Sequence, residues 1–232
     1  MRISIGIPTI NRADLLKTLM DDLSKNMIDE IVDFVVVDNG NQNIIIPDNL
    51  PNNIIRTEKN QGYGGSLNII INRAFRDPSI DHVLIPSDDI IIGKKVIEQL
   101  PETFNDNTGY DILIGECIWS LVSISRDCWN EVGEFDTVFY PAYYEDCDYE
   151  YRAKLLNRSL TLDPRLNPEF FGREGSIKVN RQLNRGSILR QIYTQKWGGH
   201  NRTFETYKTP YNGNEELIAH YKQVGRMNLG LE

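Results

Sequence analysis

FVVVDNG, residues 34–40, is the stretch whose reading decides the fold. Four apolar residues run without a polar interruption and then stop at Asp38-Asn39-Gly40. A strand with one wet face alternates, whereas a continuous run of this length fits a strand covered on both faces, as in parallel sheets. Upstream, Ile3, Ile5 and Ile7 alternate with smaller residues before Pro8-Thr9 and predict a first strand. Between the two, Leu15, Leu16, Leu19, Met20, Leu23 and Met27 recur at helical spacing, with Asn11 as the expected cap and Asp14 in the first turn. Downstream, residues 41–53 read as a loop, 54–56 as a short strand, 67–75 as a helix after a glycine-rich turn, and 83–85 as the next strand. This alternation predicts right-handed βαβ units and an α/β fold. Its core is a doubly wound, mostly parallel sheet flanked by helices.

The second half is less regular. Strands are expected over 111–115 and 119–125, and helices over 126–132 and 149–157. Ile188, Leu189, Ile192, Tyr193 and Trp197 mark an amphipathic helix stopped by Gly198-Gly199, and a last helix is expected over 214–224. No repeat, low-complexity tract or linker interrupts the chain, so one domain over residues 1–232 is expected.

With 232 residues, 40% hydrophobic and 25% charged, the chain has the make-up of a globular protein able to bury its own core. A net charge of -8 argues against an extended nucleic-acid-binding face, while leaving room for a local phosphate pocket. Cys117, Cys128 and Cys147 are odd in number and lack CxxC spacing. They predict neither a disulfide framework nor a zinc site, and point to a reducing compartment. MRISIGIPTINR has no apolar leader core, and no apolar run approaches a membrane span, so a cytoplasmic protein without a membrane segment is expected.

Thr9, Asp38 and the pair Asp88-Asp89 each fall just past the carboxyl end of a predicted strand. Ligands bind at that edge of open parallel sheets, although Asp is also a common turn residue. NQGYGGS (60–66) lets backbone amides approach a ligand, yet it matches neither the dinucleotide fingerprint nor a P-loop. In HVLIPSDDIII (82–92), adjacent Asp side chains on an extended segment point to opposite sides. That suggests Asp89 for a divalent cation, Mg²⁺ or Mn²⁺, and Asp88 for a neighbouring polar group such as a ribose; a solvated turn is the alternative. Further on, Glu145, Asp146 and Asp148 crowd a helix start directly after Phe139, Tyr140, Tyr143 and Tyr144. Acidic residues stabilise a helix N-terminus, and Asp148 can pair with Arg152. Equally, the tyrosines can wall a sugar and a carboxylate there can act as general base.

Taken together, IGIPTINR (5–12), VVVDNGN (35–41), NQGYGGSLN (60–68), IPSDDI (85–90), VGEFD (132–136) and YEDCDYEYRA (144–153) resemble, in order, the family 2 glycosyltransferases. The resemblance implies the Rossmann-like GT-A fold, with about 1–115 binding the nucleotide and about 116–232 the acceptor. By the same resemblance Pro8, Thr9 and Arg12 line the nucleotide pocket, Asp38 meets a uracil or thymine base, and Asn60 and Gly62 lie beside the nucleotide. Asp88 faces the ribose, Asp89 carries Mn²⁺ or Mg²⁺, Asp146 is the catalytic base, and Glu145 and Asp148 orient the acceptor. The implied activity is metal-dependent, inverting transfer of a hexose-like sugar from a UDP- or dTDP-sugar donor to a carbohydrate or glycan acceptor in glycan synthesis. The segment 172–176, with Arg173 and Lys178, is expected to close over the diphosphate.

Two departures stand out. Ser87 occupies the place where the family often carries another carboxylate, and FFGREGS (170–176) lacks the family's downstream His. His200, after KWGG, is then either a late metal ligand or a solvated histidine beside a helix end. A sugar nucleotidyltransferase is a rival reading, but it calls for a glycine-rich, basic loop where this chain has PTINR. A catalytically inactive nucleotide-sugar-binding module is the other.

Overall fold

The computed structural model describes residues 1–51, 53–116, 118–170, 186–203, 205 and 207. β1 (Ile3–Thr9), β2 (Ile31–Asp38) and β3 (Ile54–Arg56) run parallel, and β4 (His82–Pro86) joins β1 on its other edge, also parallel. β7 (Ile118–Ser125) pairs antiparallel with β4 and with β6 (Ile112–Gly115), and β8 (Leu160–Leu162) closes the sheet parallel to β6. The resulting order is β3-β2-β1-β4-β7-β6-β8, a mixed but mostly parallel sheet. A separate ribbon pairs β5 (Ile90–Ile91) with β9 (Glu169–Phe170).

The continuous run on β2 is buried on both faces, as its pattern requires. Phe34 and Val36 pack with Ile3, Ile5 and Ile7 against α1 (Ala13–Asn26) and α3 (Lys94–Asp106). Val35 and Val37 join the opposite core with α2 (Gly62–Ala74), α4 (Arg126–Val132) and α5 (Glu145–Leu155). β1 faces α2 through Gly6, where a Cβ would lie 2.0 Å from Ile70 Cγ2, so only a glycine lets the helix come this close. A third cluster holds α6 (Gly186–Trp197) through Leu189, Tyr193 and Trp197 packed with Phe139 and Tyr151.

Several element boundaries differ from expectation. Asn11 does not cap α1: its backbone is left-handed, with φ of 53°, and Arg12 takes the N-cap position without a side-chain bond. α2 starts at Gly62, so the glycine turn forms its first turn and does not merely precede it. Gly62, with φ of +75°, donates to Asn60 Oδ1 at 2.8 Å, and Tyr63 N donates to the Pro141 carbonyl at 2.7 Å. α5 likewise starts at Glu145, earlier than the expected Tyr149. α3 was hidden in the sequence because Pro101 lies inside it, yet Val96, Ile97, Leu100 and Phe104 form its buried stripe.

Cys128 and Cys147 are buried free thiols, both pushed upward in pKa chiefly by burial. Among the described residues, no helix is long and apolar enough to cross a membrane. Cys117, the expected loop 172–176 with Lys178, and the expected helix 214–224 lie outside the described residues.

His82, at the start of β4, packs tilted against Phe104 with ring centroids 4.6 Å apart, and burial lowers its pKa to about 4 although nearby Asp81 and Asp111 oppose the shift. Since the unfolded imidazole titrates near its ordinary value, the unfolded chain binds more protons between about pH 6.5 and 4. This contribution is therefore present above that window and lost as pH falls through it. Urea unfolding across pH 4–7 should show a steeper acid loss for the wild type than for His82→Gln; parallel curves would refute the assignment.

Candidate active site

The sheet order reverses beside β1: the chain builds β2 and β3 on one side, then returns to place β4 on the other. At such a switch point the connections diverge and leave a crevice at the carboxyl ends of the strands. Thr9 ends β1 there, and Asp88 and Asp89 follow β4. Thr9 Oγ1 donates to Asp88 Oδ2 at 2.8 Å, tying the two strand ends together.

Asp88 and Asp89 do not diverge as expected for an extended segment. They sit in a turn, and both meet the Arg12 guanidinium, at 2.9 Å from Asp88 Oδ1 and 2.7 Å from Asp89 Oδ2. One arginine fork thus neutralises both buried carboxylates. Burial, with the neighbouring Asp89 in support, still raises the Asp88 carboxyl to about 6 against the pull of Arg12 and Thr9.

Asp38 lies at the end of β2 but is fully buried behind the crevice. Its carboxylate accepts from Gly40 N at 2.9 Å, from Gln42 N at 2.8 Å and from Arg56 Nη1 at 3.0 Å. Burial alone would raise its pKa; these bonds outweigh burial and hold it below the usual carboxylate range. The neighbouring Asn39 lines the crevice instead, anchored by Gln61 N and Thr57 Oγ1, each 3.0 Å from its Oδ1.

The other side of the crevice is built by the turn before α5. Tyr143 and Tyr144 are both left-handed, with φ of 85° and 73°, a conformation that costs non-glycine residues energy and clusters at functional sites. The turn delivers Glu145 and Asp146 to the cavity from the first turn of α5. Glu145 is buried, and burial first, then the Asp146 charge, raises its carboxyl well above the usual range. Asp146 remains partly exposed, with Oδ2 accepting from Arg202 Nη2 at 2.8 Å. Arg202 also reaches Glu150, at 3.0 Å.

Asp148, expected beside the acceptor, faces away from the cavity. It is fully buried and accepts from Arg152 at 2.9 Å, Lys196 at 2.6 Å and Trp197 Nε1 at 2.9 Å. Burial would raise its pKa, but Lys196 and Arg152 keep it lowered. Its role is to join α5 to α6. His200 is exposed, lies 3.2 Å from the Arg190 guanidinium and does not line the cavity, so it does not join a carboxylate site.

The other expected binding and catalytic residues line one cavity of about 410 Å³, a size suited to a small ligand; of the aromatic residues expected to wall a sugar, Tyr143 lines it, whereas Phe139, Tyr140 and Tyr144 do not. Tyr63, Trp119 and Arg202 also line it and were not expected as site residues. Tyr63 was legible as the one bulky side chain in the glycine turn; Arg202, far along the chain, carried no local signal. For a divalent cation, the cavity offers the hard oxygens of Asp88 and Asp89. No group of three or more His, Cys, Asp or Glu ligands occurs among the described residues. The set therefore fits Mg²⁺ or Mn²⁺ held by few protein ligands, with water and ligand phosphates completing the shell.

The profile of glycosyl transferase family 2 matches residues 4–158, and the chain belongs to that family. Solved structures share the GT-A fold. The mannosyltransferase PcManGT from Pyrobaculum calidifontis, in complex with GDP-Man and Mn²⁺, is 13% identical with a TM-score of 0.61, covering 99% of this chain and 72% of that one. S. aureus TarS 1-349 in complex with UDP-GlcNAc is 16% identical with a TM-score of 0.58, covering 99% and 70%. Against a longer TarS structure, the chain covers 44% of that chain's length. Glucosyl-3-phosphoglycerate synthase from Mycobacterium tuberculosis, with Mn²⁺, UDP and phosphoglyceric acid, is 12% identical with a TM-score of 0.57, covering 89% and 85%. No curated protein sequence matches the chain.

Removing Arg12 leaves two buried carboxylates facing each other without their shared cation. Arg12→Met should lower the unfolding free energy in chelator-treated protein by about 3 kcal/mol. Urea denaturation measures this, and an unchanged midpoint would show that the clasp contributes nothing to the fold.

Proposed function

We propose that this glycosyltransferase is inverting and metal-dependent, and that it moves a hexose-like sugar from a UDP- or dTDP-sugar to an acceptor hydroxyl in glycan synthesis. The observation that carries the reading is one cavity at the switch point holding Thr9, Arg12, Asp88 and Asp89 together with Asp146 from the second half of the chain. Residues of about 1–115 form the nucleotide-binding part, and the rest contributes the acceptor side.

In this reading the nucleotide lies along Pro8, Thr9, Asn39, Asn60 and Gly62, with Asp88 near the ribose. Asp38 acts on the base indirectly, since its bonds to Gly40 and Gln42 shape the loop after β2. Asp146 takes the proton of an acceptor hydroxyl through the carboxylate oxygen that Arg202 leaves free. The acceptor oxygen attacks the anomeric carbon as the bond to the diphosphate oxygen breaks on the opposite face. That oxygen leaves with the electron pair, so configuration inverts in one displacement. A Mg²⁺ or Mn²⁺ ion held by Asp89, with Asp88 beside it, would supply positive charge against the departing diphosphate. Arg12, lining the same wall, is placed to add its own charge there.

Calorimetry with nucleotide sugars and Mn²⁺ tests donor binding, and product analysis tests transfer. Asp146→Asn should keep donor affinity within a few-fold while lowering turnover by at least about a hundredfold; near-normal turnover would remove Asp146 from the role of base. Asp89→Ala should abolish the Mn²⁺-dependent part of UDP binding. Affinity that neither this substitution nor a chelator alters would exclude a metal at Asp89. A protein that binds donors but releases no diphosphate with any acceptor would be an inactive relative.

A further inference from the structure

Glu145 and Tyr63 line the cavity, and Glu145 Oε2 and Tyr63 Oη are shielded from solvent without a hydrogen bond of ordinary geometry, although the Ser87 side chain lies close enough to the Tyr63 hydroxyl to lower its pKa against burial. A buried polar atom left unpaired costs roughly 1–3 kcal/mol, so native proteins keep few of them without cause. These two occur together. The first turn of α2 abuts Glu145 closely enough that a Cβ at Gly64 would lie 3.5 Å from Glu145 Cβ, and the Glu145 carboxyl and Tyr63 hydroxyl are near enough to influence each other's ionisation. Asp146, the proposed base, is the next residue along α5.

Resting on the transferase reading, we propose that Glu145 and Tyr63 are the sugar-reading pair of the donor site, both hydrogen-bonding one hydroxyl of the transferred sugar. The chemistry of the two groups suits a hydroxyl. Burial keeps the Tyr63 phenol protonated, and burial with the adjacent Asp146 favours the protonated Glu145 carboxyl. Each can therefore donate as well as accept, matching a hydroxyl that does both. An anionic group would meet the Asp146 charge nearby, and a purely apolar group would leave both atoms without a partner. Trp119 and Tyr143 add aromatic surface to the same cavity, as a sugar ring requires. The pair would favour sugars presenting a free hydroxyl here and reject those deoxygenated at that carbon, because a site built to hydrogen-bond a hydroxyl discriminates strongly against its absence.

The test compares affinities for a nucleoside diphosphate and for its own sugar conjugate by calorimetry with Mn²⁺. The probes are UDP-glucose, UDP-galactose, UDP-N-acetylglucosamine and dTDP-rhamnose, and the tightest is carried forward. The ratio of diphosphate to conjugate dissociation constants should fall about tenfold in Tyr63→Phe and in Glu145→Leu. Glu145→Gln, which still donates and accepts, should stay within about threefold of the wild type. Affinity for the diphosphate alone should not change in any variant. Thermal unfolding without ligand gives a second readout. Tyr63→Phe should melt no lower than the wild type, because it removes an unpaired buried hydroxyl; a structural hydroxyl would show the reverse. A ratio unchanged in both Tyr63→Phe and Glu145→Leu would mean that no sugar hydroxyl meets these atoms, and would overturn the pair. If no probe and no diphosphate binds the wild type, the transferase reading itself fails.

Discussion

The reversal of strand order at β1 is the constraint on which everything else in this protein rests. Parallel neighbours β2 and β4 on the two sides of β1 send their connections apart, and the gap between them cannot be filled by either loop. The strand ends that border the gap are held by the Thr9–Asp88 bond and by the Arg12 fork across Asp88 and Asp89. This clasp resolves the electrostatic problem of two adjacent buried carboxylates: a guanidinium presents donors in a plane wide enough to serve both. It also leaves hard oxygen donors and a cation side by side, the arrangement a charged diphosphate and its metal call for.

The acidic segment before and within α5 shows how one run of carboxylates divides into separate roles. Helix geometry turns Glu145 and Asp146 towards the cavity, while Asp148 faces inward to meet Arg152, Lys196 and Trp197. A buried charge survives only with such partners. Asp148 thereby fastens α6 against α5, and the same stretch of chain that builds the site also anchors the layer behind it.

The strands, the α/β alternation and the switch-point residues were legible because their signal is local. Continuous burial on β2, helical spacing on α1 and polar ends on strands depend on neighbours a few residues away. α3 was not legible, since Pro101 masks a stripe that only packing against α1 makes worthwhile. Helix starts were misplaced at α1, α2 and α5, where left-handed or glycine backbone sets the boundary and hydrophobic periodicity does not. Asp38 and Asp148 drew attention by their places at a strand end and a helix start, which do not say what a carboxylate faces, whereas Trp119 and Arg202 line the cavity without a local motif to announce them.

By itself the amino-acid sequence determined the class of fold, the family and the order of the motifs, since each is written in short-range pattern and spacing. Only the tertiary structure decided what each carboxylate faces. Asp88 and Asp89 converge on a single arginine, Asp38 serves its own loop, Asp148 turns into the core, and Glu145 lines the cavity beside Tyr63 with one carboxyl oxygen unbonded. Those outcomes depend on groups tens of residues away, and the energy of a charge is set by the partners and burial it finds in space, which linear sequence does not specify.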